Sequence, residues 1–290
     1  PLHQALNKQQ PPETIRLLLT QTPANLLPQI LCIQDNYGWT PLHLATEAAN
    51  FTAIIECLPK STSGGFWPQA LLSQDNNGHT PLHRALNKGA PPFIIGQILD
   101  SLNPTAVAEI LQLQDRDGFT PLQLALQKAA DTPILEILLA KTSAANMPQL
   151  LQTQDRYGQT PLHLIAKAQN PTAIMALFFP KTPAKLWSRL LFLQDNLGNT
   201  PWHKALKNNA SDSIVGLLEK IPPEKLERLF QIQNKYGETL LLIALKEKTN
   251  PAIIEQLLAV LPEKMLFQED ACGLTFLHLA PLYLTSPVIA

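Results

Sequence analysis

The feature that most constrains the fold of this chain of 290 residues is a tetrapeptide, Thr-Pro-Leu-His, that recurs in identical or near copies. The copies begin at Thr40, Thr80, Thr120, Thr160, Thr200, Thr239 and Thr275. Successive copies are 40, 40, 40, 40, 39 and 36 residues apart. A fixed period of this length indicates a repeat architecture, in which each unit stacks on its neighbours. Because the first three residues match the end of another copy, we expect the chain to be a fragment that begins inside a unit.

A turn is predicted immediately before each threonine, where Asp or Asn is followed three residues later by Gly. The acidic or amide residues are Asp35, Asp75, Asp115, Asp155, Asp195, Asn234 and Asp270. Seven of the 12 glycines occupy the same position of this turn. The pattern predicts glycine at positive φ and a side chain that accepts hydrogen bonds from the local backbone. Threonine then predicts a helix N-cap, with proline at the first helical position.

Each unit is predicted to contain three helices. The first follows the threonine, over 41–49 in one unit and 81–88 in the next. Second helices are expected to begin near Asn50, Pro91, Asp131, Asn170, Ser211 and Asn250, with apolar stripes such as Ile94, Ile95, Ile98 and Leu99, or Ile214, Val215, Leu217 and Leu218. A short third helix is predicted before the next turn, for example over 183–191 and 223–230. One such unit cannot bury its own stripe, so stacking is required.

The predicted fold is therefore all-α: a repeat solenoid of helix–turn–helix units with a short extra helix per repeat and protruding turns. We predict a single array over residues 1–290, with units that begin near residues 1 (partial), 35, 75, 115, 155, 195, 234 and 270.

The motif Asp-x-x-Gly-x-Thr-Pro-Leu-His-x-Ala, followed by an Ile- and Leu-rich helix, resembles the ankyrin repeat. The resemblance implies a binding module whose partners contact the concave face and the turn tips. Units in that family have about 33 residues, so each unit here carries roughly seven more, which form the proposed third helix. The phrase Leu-Gln-x-Gln-Asp-x-x-Gly-x-Thr-Pro-Leu is also similar to ankyrin arrays of intracellular bacterial effectors. That second resemblance implies a host protein as partner and the host cytoplasm as location.

Composition excludes several classes of protein. The 22 basic and 23 acidic residues nearly cancel, so no net field favours nucleic acid or an anionic membrane. No apolar run reaches the 18 or so residues that span a bilayer. Three widely separated cysteines argue against disulfides and a metal site and favour a reducing compartment. We expect a monomeric cytoplasmic protein that has no cofactor.

No catalytic group is indicated by the sequence. Six of the seven histidines share one repeat position, where the family resemblance implies a structural bracket to the neighbouring turn. The turn aspartates would form an open row rather than a pair with separated pKa values. Cys32 and Cys57 fall on predicted core faces, so they are interpreted as packing residues. The sequence predicts no enzyme.

The turns vary within their fixed frame, and they carry residue types that are enriched at protein interfaces. The candidates for partner contact are Tyr37, Trp39, His79, Arg116, Phe119, Arg156, Tyr157 and Tyr236. An equally weighted alternative is ordinary turn composition, in which some aromatic rings brace the next turn.

Lysines recur where the first helices end, on the predicted concave face. The candidates are Lys88, Lys128, Lys167, Lys207 and Lys246, with Lys8 in the same series and Glu47 interrupting it. A stacked column of ammonium groups would favour an acidic partner. Lysine at a helix C-terminus also complements the helix dipole, and this simpler explanation is preferred.

The sequence thus predicts a non-catalytic scaffold that binds another protein. An alternative from another class stays open: the array is the targeting module of an enzyme whose catalytic domain lies outside residues 1–290.

Overall fold

A computed structural model describes residues 1–46, 48–57, 66–129, 131–208, 223–260 and 266–283. Within these ranges the regular secondary structure is helical, and no strand occurs. The chain divides into two compact units, Pro1–Leu150 and Leu151–Ala290.

Helices of three kinds recur with the period of the sequence. The first helices are Leu2–Asn7, Pro41–Leu44, Pro81–Asn87, Pro121–Gln127, Pro161–Ile165, Pro201–Lys207, Leu240–Lys246 and Phe276–Tyr283. The second helices are Pro12–Thr20, Ala48–Cys57, Pro92–Asp100, Thr132–Lys141, Pro171–Phe178 and Pro251–Val260, and a short 3₁₀ helix, Phe179–Lys181, follows one of them. The third helices are Leu27–Cys32, Phe66–Leu72, Pro104–Ile110, Met147–Gln152, Ala184–Leu190 and Pro223–Phe230. The predicted second helix around Ile214 lies outside the described residues.

Two predicted helix boundaries are wrong. The helix predicted over 41–49 ends at Leu44, where the Ala45 N–H closes the last turn on the Pro41 carbonyl at 2.9 Å. The next helix begins at Ala48, so Asn50 lies inside it rather than at its start. Asn170 does cap its helix, because a proline follows it and fixes the first helical residue, whereas Phe51 follows Asn50.

Where the motif has both threonine and histidine, these two residues cap the N-terminus of the first helix. The Thr80 Oγ1 accepts a hydrogen bond from the His83 N–H at 3.3 Å, and the His83 Nδ1 accepts one from the Thr80 N–H at 3.4 Å. Pro81 occupies the first helical position, where no N–H is needed. This reciprocal arrangement is a capping box in which histidine replaces the usual Glu or Gln.

The turn before each threonine has the predicted geometry. Its glycines have φ between +71° and +79°. At Gly78 a second constraint applies, since a Cβ atom there would lie 2.8 Å from the backbone nitrogen of Arg116 in the next turn. Asp75 Oδ1 accepts hydrogen bonds from the N–H groups of Asn77 and His79 at 2.7 and 2.9 Å. The turn is therefore fixed by its carboxylate and its glycine together.

In the unit Pro1–Leu150, helices of the same kind pack on one another in chain order. Pro41–Leu44 packs on Pro81–Asn87, and that helix packs on Pro121–Gln127. Side chains that are completely buried, among them Ile15, Phe51 and Ile94, fill the layers between the helices. Burying an apolar side chain of this size contributes about 1.5–3 kcal/mol.

The unit Leu151–Ala290 follows the same scheme with larger side chains. Its first helices Pro161–Ile165, Pro201–Lys207 and Leu240–Lys246 pack consecutively. The core is built around Trp187 and Trp202, which are 2% and 0% exposed. Trp202 stands where the other motifs have leucine or a similar residue, so the repeat frame accepts a bulkier ring at this position.

Candidate partner-binding surface

Backbone hydrogen bonds join the turns of successive repeats within each unit. In each case the residue after the turn Asp or its equivalent donates its N–H to a carbonyl at the tip of the preceding turn. Asn76 donates to Tyr37 at 3.0 Å, Asn196 to Tyr157 at 2.9 Å and Lys235 to Leu197 at 2.8 Å. Because these bonds use main-chain atoms, they fix the spacing of the tips whatever side chains the tips carry.

A ladder of glutamine side chains reinforces the turns. Gln74 Nε2 donates to the Gly78 carbonyl of its own turn at 2.7 Å and to the Gln114 carbonyl of the next repeat at 2.9 Å. The same pair of bonds is made by Gln34, Gln154, Gln194 and Gln233. Sequence reasoning missed this role, although glutamine precedes Asp or Asn in six of the seven turns.

The repeated histidines also connect neighbouring repeats. His43 is fully buried, and its Nε2 lies 2.9 Å from the His79 carbonyl oxygen. The Thr40 N–H donates to the His43 Nδ1 at 3.1 Å, so the proton is on Nε2, which donates to the carbonyl. Burial lowers the pKa of His43 to about 4, and the histidine is therefore neutral. The bracket that the family resemblance implied is present.

The outer face of this framework carries exposed apolar side chains. Tyr37, Tyr157 and Tyr236 are 65%, 46% and 52% exposed, and Leu197 is 44% exposed. All four occupy the second position after the turn Asp or Asn. Leu197 was not among the sequence candidates, although its equivalence in the repeat to Tyr157 and Tyr236 identifies it.

Helical repeats of this kind are found in a solved structure, the crystal structure of the ankyrin repeat domain of Bcl-3, described there as a unique member of the IkappaB protein family. The match has a TM-score of 0.59 and covers 88% of this chain and 96% of that one. The chain has the ankyrin repeat fold. Identity to the Bcl-3 domain is 22%, so the likeness concerns the fold alone. No protein-family model matches the sequence, and no curated protein matches it either.

Two of the predicted tip contacts are used inside the ankyrin repeat framework. Trp39 Nε1 donates to Asp75 Oδ2 at 3.1 Å, and the Arg84 guanidinium lies 3.8 Å from the centre of the Trp39 ring. His79 lies between two turn carboxylates, 3.5 Å from Asp75 and 3.6 Å from Asp115. The neighbouring Asp115 carboxylate raises the pKa of His79, against the effect of burial. His79, a sequence candidate for partner contact, therefore has only 20% of its side chain exposed.

Phe119 is a third candidate for partner contact whose side chain is not at the surface. It is 8% exposed, so its ring offers little surface to a partner. Trp39, His79 and Phe119 all follow the turn glycine directly, and the turn Asp holds the N–H of this position. The position therefore lies at the base of the turn rather than at its tip. Arg116, Arg156 and the tyrosines, which come earlier in the turn, are exposed.

The lysines at the ends of the first helices fall into two groups. Lys88 and Lys128 are exposed C-cap residues that form no ion pair with the described residues. Lys167 is also exposed, but desolvation of its ammonium group, together with the charge of Lys204, lowers its pKa. These three residues could contact an acidic group, as the sequence suggested.

Lys207 and Lys246 are engaged in ion pairs, which the sequence did not indicate. Both contact Glu238 at 3.0 Å, and Lys246 also contacts Asp270 at 2.8 Å. Desolvation opposes ionisation of Glu238, but hydrogen bonds from Asn234, Lys207 and Lys246 lower its pKa to about 2. The ammonium groups of these two lysines are therefore paired with carboxylates, and their role as partner contacts stays a prediction.

Other chemistry is sparse in the described part of the chain. No group of three His, Cys, Asp or Glu side chains there could hold a metal ion. Cys32 and Cys57 are half-buried rather than core residues, and burial raises the pKa of both thiols. No helix in the described ranges has the length and apolar character to cross a bilayer.

Proposed function

We propose that this protein is a non-catalytic scaffold that binds another protein through its exposed turn tips. The observation that carries the proposal is the row Tyr157, Leu197 and Tyr236 in the unit Leu151–Ala290. These side chains are 46%, 44% and 52% exposed, and hydrogen bonds between successive turns hold their backbone. Tyrosine is enriched at binding hot spots, and a rigid surface loses little entropy on association.

Cationic groups surround the row. The Arg156 guanidinium lies 4.7 Å from the centre of the Tyr157 ring. The Lys207 ammonium lies 5.7 Å from the centre of the Tyr236 ring, and Glu238 offsets its charge. Lys235 is exposed beside Tyr236. The turn carboxylates of Asp155 and Asp195 are buried, so they do not offset these charges at the surface. The row is suited to a protein segment that combines apolar side chains with acidic ones.

The exposed lysines at the first-helix ends are proposed as additional contacts for such a partner. Lys88 and Lys128 belong to the unit Pro1–Leu150, as do the exposed tip residues Tyr37 and Arg116. The ankyrin repeat fold supports this assignment because its repeats expose long rows of equivalent positions.

Affinity capture with matched variants tests the proposal. The intact chain and the triple variant Tyr157→Ser, Leu197→Ser, Tyr236→Ser are immobilised, and the proteins that each retains from a cell extract are identified by mass spectrometry. The control is Leu17→Ser, Phe93→Ser, which removes side chains that are 60% and 54% exposed on second helices. The proposal requires a protein that the wild type and the control retain and the triple variant loses. Equal retention by all three proteins contradicts it.

Two finer proposals depend on the setting of the chain. The sequence resemblance to arrays of intracellular bacterial effectors extends the proposal to a host protein as partner, in the host cytoplasm. A translocation reporter fused to the chain tests this. The alternative is that the array recruits substrates for an enzyme encoded by flanking sequence, and reading that sequence distinguishes the two.

A further inference from the structure

Exposed cations are concentrated on the two third helices of the unit Leu151–Ala290. Lys185 and Arg189 lie on Ala184–Leu190, Lys225 and Arg228 lie on Pro223–Phe230, and Lys181 precedes the first of these helices. We call these five residues the basic third-helix patch. All five are exposed.

The helices present these cations on adjoining outer faces. Lys185 and Arg189 are four residues apart and so share one face. Trp187 and Leu190, on the opposite face, are 2% and 1% exposed. The Lys225 Nζ donates to the Ser188 Oγ at 3.2 Å, which brings the outer face of the second helix next to that of the first.

Few acidic groups balance the patch. The sequence contains no Asp or Glu from residue 156 to residue 194, so Lys181, Lys185 and Arg189 have no acidic neighbour in the chain. The second helix contains Glu224 and Glu227, which leaves a formal charge of +3 for the two helices with Lys181. The Glu227 Oε1 accepts a hydrogen bond from the Gln231 Nε2 at 3.1 Å.

Packing does not explain these charges. The third helices Leu27–Cys32, Phe66–Leu72, Pro104–Ile110 and Met147–Gln152 contain no Lys or Arg. The repeat position of Arg189 is occupied there by Gln29, Gln69, Glu109 and Gln149. A third helix therefore forms without a cation at this position, and the positive charge is a property of these two helices alone among the described third helices.

We propose that the basic third-helix patch is a second binding surface, which takes an acidic segment of a protein. It is distinct from the turn tips because its residues lie on other elements. An electrostatic surface of this kind increases the association rate and selects partners by charge. Single-stranded nucleic acid is disfavoured, since the aromatic residues of these two helices, Trp187 and Phe230, are buried and offer no ring for base stacking. Membrane insertion is disfavoured because no large apolar side chain is exposed on either helix.

The test uses the full chain and a fluorescently labelled helical peptide rich in Glu and Ala, with a counterpart that has Gln in place of Glu. Fluorescence anisotropy measures binding to the wild type and to Lys185→Gln, Arg189→Gln, Lys225→Gln, Arg228→Gln. The control is Arg16→Gln, Lys141→Gln, Lys248→Gln, which removes three cations that lie on other elements and belong to neither proposed binding surface. Thermal unfolding by circular dichroism confirms that each variant folds.

We expect the acidic peptide to bind more tightly than its Gln counterpart, with an affinity that decreases as salt increases. The patch variant should bind the acidic peptide roughly tenfold more weakly, and the control should change by less than about twofold. The proposal is overturned if the peptide does not bind, or if the control loses as much affinity as the patch variant. It is also overturned if phosphatidylserine vesicles or a single-stranded DNA oligonucleotide bind more tightly than the peptide.

Discussion

The Nε2 of His43 donates a hydrogen bond to the backbone carbonyl of His79, one repeat further along the chain, over 2.9 Å. Equivalent bonds join His83 to Phe119, His163 to Asn199 and His203 to Glu238, at 3.0, 2.9 and 3.2 Å. Each of these imidazoles is completely buried, and each accepts a hydrogen bond on Nδ1 from its own threonine. At each of these four positions, a neutral, buried histidine thus links its own repeat to the next one.

The protein should lose stability in mild acid because of these histidines. Burial lowers the pKa of His43, His83, His163 and His203 to about 4, from an ordinary value of 6.5. The folded state favours the neutral form, so this contribution is complete above pH 6.5 and is lost as the pH falls towards 4. Each site should contribute up to about 3 kcal/mol. Urea denaturation at a series of pH values measures the loss.

The chain supplies the control for that experiment. Gln123 takes the place of histidine in one repeat, and its Oε1 accepts the Thr120 N–H at 3.0 Å. Replacing His83 and His163 with Gln should therefore preserve folding at neutral pH and reduce the loss of stability between pH 6.5 and 4. An unchanged pH dependence in this double variant would show that other groups cause the acid sensitivity.

Three glycines allow backbone strain to be separated from close packing. Gly96 is helical with open space beside it, so Gly96→Ala should stabilise the protein by about 0.5–1 kcal/mol. Gly89 has φ +68° in open space, and Gly89→Ala should cost about 1–2 kcal/mol. Gly78→Ala should cost more, since its Cβ would also lie 2.8 Å from the Arg116 nitrogen. Thermal unfolding measures the order, and equal effects at Gly78 and Gly89 would contradict the close approach.

Glu238 should contribute more to the stability of the protein than an acidic residue in an exposed ion pair. Glu238→Gln weakens contacts to Lys207 and Lys246 in a side chain that is 12% exposed, and it should cost about 1–2 kcal/mol. The lowered pKa of about 2 means that this contribution is present above pH 4.5 and is lost as the pH falls towards 2. The control is Glu56→Gln, which affects an exposed pair with Arg16 and should change stability by less than about 0.5 kcal/mol. Denaturant titration of both variants checks the difference.

Each glutamine of the ladder should contribute measurably to the free energy of unfolding. Gln74→Leu removes two hydrogen bonds to backbone carbonyls and should cost about 1–2 kcal/mol. Gln29→Leu, on an exposed position of a third helix, should stay within about 0.5 kcal/mol of the wild type. Guanidinium denaturation compares the two, and similar effects would mean that the ladder adds nothing beyond the backbone bonds.

Sequence reasoning recovers features that local chemistry determines. The turn glycines, the threonine caps and the third helices follow from φ requirements, N-terminal capping and apolar spacing, which act within a few residues. The predicted start of the second helix near Asn50 was wrong, because an asparagine that no proline follows is weak evidence for a helix N-cap. The fold class follows from the period alone, because a unit of this size cannot bury its own apolar stripe.

The candidate surface is less predictable, because it depends on contacts between residues about 40 positions apart. Phe119 and Tyr157 are both aromatic turn residues, and only the packed structure shows that the first is buried and the second exposed. Lys128 and Lys207 both lie where a first helix ends, yet Lys207 pairs with Glu238 and Lys128 forms no ion pair with the described residues. The repeat position of Glu238 is acidic in one repeat alone, since the other turns have Trp39, His79, Phe119, Gln159, Asn199 and Leu274 there. Such pairings cannot be derived from a motif that treats all units as equivalent.

The acceptors in the histidine and glutamine ladders are main-chain oxygens, which every amino acid possesses. Substitutions of the side chains of Tyr157, Leu197 or Tyr236 therefore leave the donors and acceptors of the hydrogen bonds between repeats unchanged. A lineage of such proteins can acquire new binding specificities through a few surface changes while its architecture persists. Selection on recognition and selection on folding act here on separate sets of atoms.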